Sequence, residues 1–242
     1  MRIKCIVSYD GYDYMGYQIQ DGLNTIEENL TRAISAVCKK DTKIYASGRT
    51  DRGVHALGQV IHFDTDRSID PEGWIRAINA YLPLDIRIKS LEVVDETFHS
   101  RFSAKSKEYH YLVETGEYNL FERRYKGFYY NLDKEAMKKA LEKLVGTHNF
   151  RGFCSESSNE QKDFVKTIYE AYFIEEGTTL RFVFKGTGFL RYQIRRMMGI
   201  VLEVGRGRES LDTIDRVFET ADSKISRACA EPQGLYLVHV NY

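Results

Sequence analysis

Apolar and polar positions alternate at the start of the chain: Ile3, Cys5 and Val7 interleave with Lys4, Ile6 and Ser8, and a period of two predicts a strand. A stretch rich in glycine and tyrosine, YDGYDYMGYQIQDG, follows at 9–22. The period then lengthens. Ile26, Leu30, Ile34 and Val37 recur at helical spacing, which predicts a helix over about 25–39. Asn24 is placed to cap it, with Glu27 three residues on, a capping-box-like pairing worth about 1 kcal/mol. Short strands are expected over 43–47 and 57–63, a helix from Pro71 carrying Trp74, Ile75, Ala77 and Ile78, and a strand over 85–94.

That order is β-α-β-β-α-β, the ferredoxin-like unit. The second half repeats the order without repeating the sequence. Strands are predicted over 108–113, 165–173, 180–184 and 235–240, with helices over 134–145 and 189–204. The expected fold is therefore α+β: two ferredoxin-like halves, 1–104 and 105–242, joined into a mostly antiparallel sheet with a broad central cleft, an architecture shared by many RNA-binding modules. No proline- or serine-rich linker separates the halves. Fold alone assigns no function.

Composition narrows the classes. With 43% hydrophobic and 29% charged residues, the chain can bury a core and is not of disordered composition. No run approaches the roughly 20 apolar residues that cross a bilayer, and the N-terminus lacks a basic-then-apolar signal pattern. Cys5, Cys38, Cys154 and Cys229 are scattered, with no CxxC pair, and are expected to be reduced thiols of a cytoplasmic protein. The six histidines give no metal triad, and neither a Walker A loop nor a G-x-G-x-x-G opens a helix.

The 35 basic and 35 acidic residues cancel, yet their distribution is uneven. Lys185, Arg191, Arg195, Arg196, Arg206 and Arg208 meet a single acid, Glu203, while acids gather at 114–122, 156–163 and 209–222. Local basic patches on a neutral protein suit a partner docked in one groove.

Three features could carry chemistry. The first is the glycine-punctuated turn SGRTDRG at 47–53, where Asp51 lies between Arg49 and Arg52. It reads either as a solvated turn aspartate or as a carboxylate kept ionised by a neighbouring arginine, which lowers such a pKa by roughly 1–3 units. The second is the helix after Gly188. At about 100° per residue, Leu190, Ile194, Met197, Met198, Val201 and Val204 form one arc, with Arg191 and Arg195 at its edge and Arg196 on the opposite side. Arg195 either snorkels to solvent or pairs with an acid such as Asp51. The third is FHSRFSAKSKEYHY at 98–111, where Arg101, Lys105 and Lys107 precede Tyr109 and Tyr111. Interleaved bases and aromatics fit phosphate contacts and base stacking, although strand tyrosines also serve cross-strand packing.

Taken together these residues resemble the TruA family of tRNA pseudouridine synthases. The resemblance rests on GRTDxGVHA with GQV following (48–60), YDGxxYxGYQxQ (9–20), LPxDIRI (82–88), FHSRFSAKSKEYHY, GFLRYQIRRMMGIVLEVGRG (188–207) and PQGLYLVHVNY (232–242). It implies isomerisation of uridine to pseudouridine at nucleotides 38, 39 and 40 of the tRNA anticodon stem-loop. It also implies a homodimer with no metal or organic cofactor. Position by position, Asp51 matches the catalytic aspartate, Arg195 its basic partner, Tyr109 the tyrosine that stacks on the target base, and Arg49 an arginine that flips or holds the nucleotide. Arg101 and Lys105 are the further substrate-binding candidates.

The chain departs from the family pattern at Arg52, where a small residue is common, at Tyr17, where tryptophan is frequent, and in the looser KDFVKTI at 162–168. The rival readings are a pseudouridine synthase acting at other RNA positions, a non-catalytic RNA-binding module, and a small-molecule enzyme of the same fold.

Overall fold

In the computed structural model, which describes residues 1–154 and 163–242, strand β1 (Arg2–Tyr9) turns Ile3, Cys5, Val7 and Tyr9 inward on alternate positions. The acidic run at 156–162 and Lys162 of KDFVKTI lie outside the described residues. The chain divides into two compact units: Met1–Lys105 with Tyr236–Tyr242, and Ser106–Leu235. The fold is mixed α and β, and its sheet pairing is mostly antiparallel.

In the first unit β1 lies between β3 (His55–Asp64) and β4 (Ile86–Val94), antiparallel to both. The short β2 (Ile44–Ala46) pairs with residues 61–63 of β3. Helix α1 (Ile26–Cys38) buries Ile26, Leu30, Ala33, Ile34 and Val37, the stripe its periodicity predicts. Each such aliphatic side chain contributes roughly 1.5–3 kcal/mol. Helix α2 (Pro71–Tyr81) opens on Pro71, with Asp70 accepting the Gly73 N–H at 2.8 Å. Its Trp74 meets Phe63 of β3 edge to face, centroids 5.8 Å apart.

The α1 cap differs from expectation. The helix begins at Ile26, and its first amides are taken by backbone: Ile26 N–H donates to the Gly16 carbonyl and Glu27 N–H to that of Tyr17. The 9–22 loop therefore supplies the acceptors a capping side chain would have offered. Asn24 Oδ1 instead accepts from Asn29, and the Glu27 carboxylate from Ile19 N–H.

Strand β10 (Leu235–Asn241), expected to close the second half, counts with the first unit from Tyr236 on. Tyr236 and Leu237 run parallel to His55 and Ala56, on the part of the β3 edge that the three-residue β2 leaves open. A Cβ on Gly58 would meet the Val238 carbonyl oxygen at 2.2 Å, so only glycine allows this approach.

His62 alternates with Phe63 and so faces away from Trp74. Tyr45 stacks on it at 4.9 Å, His99 meets it edge-on at 4.7 Å, and Ser100 Oγ lies 2.9 Å from Nδ1. Burial, then the nearby His99 and Arg2 charges, push its pKa down to about 4.

The second unit orders its strands β5 (Ser106–Glu114), β9 (Thr179–Gly186), β8 (Val165–Glu176) and β7 (Gly146–Asn149), all antiparallel, with β6 (Gly127–Phe128) parallel beside β5. Its helices are α3 (Lys134–Leu144), α4 (Gln193–Gly205) and α5 (Asp212–Thr220). β6, β7 and α5 were not expected. GTHN shows no apolar alternation, and α5 buries only Ile214 and Val217 within the acidic stretch. Glu114, buried at the end of β5, is bonded by Lys126 Nζ at 3.0 Å, Thr179 Oγ1 at 2.8 Å and Gly116 N–H at 3.0 Å. Burial alone would raise its pKa; the bonds from Thr178, Gly116, Lys126 and Thr179 outweigh that and hold it at about 2.

Candidate active site

The turn between β2 and β3 is built from buried polar groups. Ser47 N–H donates to the Val60 carbonyl at 2.8 Å and starts the turn on β3. Ser47 Oγ donates to Gln59 Oε1 at 2.6 Å, and Gln59 Nε2 donates to the Gly48 carbonyl at 2.9 Å. Thr50 Oγ1 lies 2.8 Å from the Tyr9 hydroxyl, and its carbonyl accepts the Tyr17 N–H at 3.1 Å. After Asp51, the Val54 N–H returns to the Asp51 carbonyl at 3.2 Å through Gly53, whose φ is 77°. Asp51 thus stands half-buried between two fixed peptides, with Arg49 and Arg52 exposed on either side. Nothing in the structure explains the arginine at 52.

The 9–22 loop presses on this turn at two glycines. A Cβ on Gly11 would lie 1.9 Å from the Val54 carbonyl oxygen, and one on Gly16 would lie 3.3 Å from both Arg52 N and Thr50 O. Buried His55 receives the Gly11 N–H on Nδ1 at 3.1 Å, and Asp10 Oδ1 sits 3.0 Å from that nitrogen. Nδ1 without a hydrogen accepts the amide and Nδ1–H donates to the carboxylate, so the two contacts belong to different tautomers of the ring. Tyr236 stacks on the imidazole at 4.8 Å.

Also in the first unit, Phe98, His99 and Ser100 are spent on packing around His62, while Arg101 and Lys105 are exposed. Arg101 lies 5.7 Å from the ring of Phe102, and the Lys105 N–H donates to the Asn241 carbonyl at 2.8 Å.

Within the second unit, Tyr109 is buried on β5 opposite Phe184 and meets Phe189 edge to face at 5.3 Å. Tyr111, two residues on, is wholly buried, and its hydroxyl donates to the Glu231 carbonyl at 2.9 Å. The α4 helix starts at Gln193 rather than 189, because Tyr192 adopts φ 66° and Gln193 Oε1 turns back to accept the Leu190 N–H. Arg195 is half-buried: Nε donates to the Ala230 carbonyl at 2.9 Å, and the guanidinium lies 5.0 Å from the Tyr192 ring. Gly199, one turn on, lets Cys229 N approach to 2.5 Å of where a Cβ would be. Of the other bases in this stretch, Arg206, Arg208 and Lys185 pair with Glu203 and Glu170, and Arg196 bonds the Ser223 carbonyl.

A family model described as tRNA pseudouridine synthase matches residues 5–103 and 140–242. The chain belongs to the tRNA pseudouridine synthase family. The chain is similar over its full length to curated synthases named tRNA pseudouridine synthase A. It is 48% identical to that of Geobacillus sp. strain WCH70 and 47% to that of Exiguobacterium sp. strain AT1b, covering 98% of each relative. The Bacillus subtilis strain 168 protein is 43% identical, with 99% of it covered. Asp51, Arg49, Arg101 and Arg195 fall inside the segments matched by the synthase model; Lys105 and Tyr109 fall between them.

Tyr9, Thr50, Gln59 and Gly11 were not singled out as candidates for the synthase site. Gln59 did leave a trace, as an uncharged polar residue amid the apolar run of β3. Among the described residues no three metal-ligating side chains cluster, and no helix is long and apolar enough to cross a membrane.

Proposed function

We propose that the chain converts uridine to pseudouridine in tRNA, with Asp51 as the catalytic carboxylate. The observation that carries this is a full-length relationship to synthases in a chain whose Asp51 turn is fixed on both sides. In the reaction N1–C1′ breaks, the detached uracil rotates, and C5 bonds to C1′. The C5 hydrogen leaves to solvent while N1 gains a proton, so atoms balance. The base must leave its stack to be reached. Asp51 acts at the ribose, either on C1′ or on a sugar proton, and Arg195 is the cation that keeps it ionised and aimed. Tyr109 is proposed to hold the free uracil by its face, Arg49 the extruded nucleotide, and Arg101 and Lys105 phosphates.

The substrate positions are proposed as 38, 39 and 40 of the anticodon stem-loop, and the enzyme as a cytoplasmic homodimer that needs no cofactor. Two ferredoxin-like halves are part of the same reading. The first unit supports it with the order β1-α1-β2-β3-α2-β4, antiparallel pairing, and β1 between β3 and β4. The decisive measurement is tritium release from tRNA labelled at uracil C5. Wild type should release it, and Asp51→Asn should release none while still binding tRNA. Equal release by both would remove Asp51 from catalysis; none by either would leave an RNA-binding module. Mapping the new pseudouridines tests the positions.

A further inference from the structure

The Asp51 turn rests on a chain of buried hydrogen bonds that the reaction itself does not use. Thr50 precedes Asp51, and neither of its polar oxygens is free to move. Oγ1 lies 2.8 Å from the Tyr9 hydroxyl, and the carbonyl accepts the Tyr17 N–H. Tyr9 is 4% exposed and closes strand β1. Its hydroxyl also interacts with the carboxamide of Gln59, which is 0% exposed. That carboxamide is fully used. Oε1 accepts from Ser47 Oγ at 2.6 Å and from Val60 N–H at 3.1 Å, and Nε2 donates to the Gly48 carbonyl at 2.9 Å. With donors and acceptors assigned to unlike partners, the amide cannot flip without losing bonds on both sides. Two sheet strands therefore grip the turn just before Asp51, one at Gly48 and one at Thr50.

We propose that Tyr9, Thr50 and Gln59 are positioning residues for Asp51, joining β1 and β3 to the turn so that the carboxylate is presented at one fixed place and angle. The proposal rests on the reading of Asp51 as the catalytic carboxylate. A chain of this kind acts through geometry: a misplacement of about 1 Å costs turnover on the order of a hundredfold and leaves substrate contacts in place. Because its members act through one another, breaking any one link removes the effect of the whole.

The experiment measures kcat and KM for tritium release from C5-labelled tRNA, together with the thermal midpoint. Its variants are Tyr9→Phe, Thr50→Val, their double, Gln59→Leu and Thr50→Ser. Each single variant except Thr50→Ser should lose roughly ten- to a hundredfold in kcat, with KM within about twofold. The double should lie within about threefold of either single, and Thr50→Ser, which keeps the hydroxyl, should recover most of the loss. The thermal midpoint guards against misfolding: the double removes both partners of the Tyr9–Thr50 bond, so its folding cost should be less than the sum of the two singles. Unchanged kcat in Thr50→Val, losses that multiply in the double, a rise in KM alone, or no recovery in Thr50→Ser would overturn the proposal. A wild type that releases no tritium would instead overturn the parent reading.

Discussion

The turn that carries Asp51 and the helix that carries Arg195 reach fixed geometry by opposite means. Around Asp51 no regular element repeats, so the turn is held group by group: the Tyr9 hydroxyl on the Thr50 side chain, the Gln59 amide on the Gly48 carbonyl, and the Val54 carbonyl seated against Gly11. Around Arg195 the α4 repeat does most of the placing. Met197, Met198 and Val201 bury one face, and a single close approach at Gly199 brings in the segment whose Ala230 carbonyl holds Nε. Irregular backbone is fixed by atoms that cannot yield, whereas helical side chains are fixed by packing that can relax by a few tenths of an ångström.

The sharpest way to break that comparison is Gly11→Ala. Its Cβ would meet the Val54 carbonyl at 1.9 Å with backbone on both sides, so it should cost about 3 kcal/mol in urea unfolding. Gly22→Ala, where φ is 73° but nothing lies within 4 Å of the new Cβ, should cost about 1 kcal/mol or less. Equal costs would mean that the 9–22 loop is not pressed onto the turn.

Acid should separate the two units next. His62 titrates near pH 4 in the fold against 6.5 ordinarily, so the unfolded chain binds the proton first. Stability should fall by up to about 3 kcal/mol as pH drops from 6.5 to 4, and His62→Gln should flatten that slope. Glu114 titrates near 2 against 4.5; its contribution is complete above pH 4.5 and is lost as pH falls toward 2, again up to about 3 kcal/mol. Glu114→Gln should flatten only this lower window, and a single slope shared by both variants would count against the assignment.

Arg195→Ala should lower turnover roughly a hundredfold, about 2.7 kcal/mol, with tRNA affinity changed only a few-fold. If affinity alone collapses, Arg195 belongs to RNA binding. The smallest effect belongs to Tyr17, whose buried hydroxyl has no hydrogen-bond partner among the described residues. Tyr17→Phe should raise stability by about 1 kcal/mol while leaving its N–H on Thr50 intact.

Much of this was legible in the chain because period and spacing survive without tertiary knowledge. β1, α1, α3 and the arc of α4 follow from periodicity; charges and glycines mark Asp51 and Arg195 only as candidates, and their proposed roles come from the family resemblance. The rest depends on what comes close in space. Asn24 was read as a cap because nothing in sequence shows that the carbonyls of Gly16 and Tyr17 reach α1 first. Gln59 passed as one polar residue in a strand because its four partners are set by register and turn. Arg191 and Arg195 stood at the edge of an arc, yet the carbonyl that holds Arg195 comes from a segment with no periodicity of its own.

The pairing of β10 with β3 has a consequence in time. His55 and Tyr236 are adjacent in the sheet but 181 residues apart in sequence (236 minus 55). At synthesis rates of roughly 5–20 residues per second, the edge of β3 beside His55 stays bare for about 10–35 s after it leaves the ribosome. Throughout that interval the Asp51 turn hangs from an unfinished sheet, and a nascent chain halted before residue 236 exposes a strand edge open to other chains. Ribosome-bound intermediates ending before and after that residue should therefore differ sharply in protease resistance near residue 55.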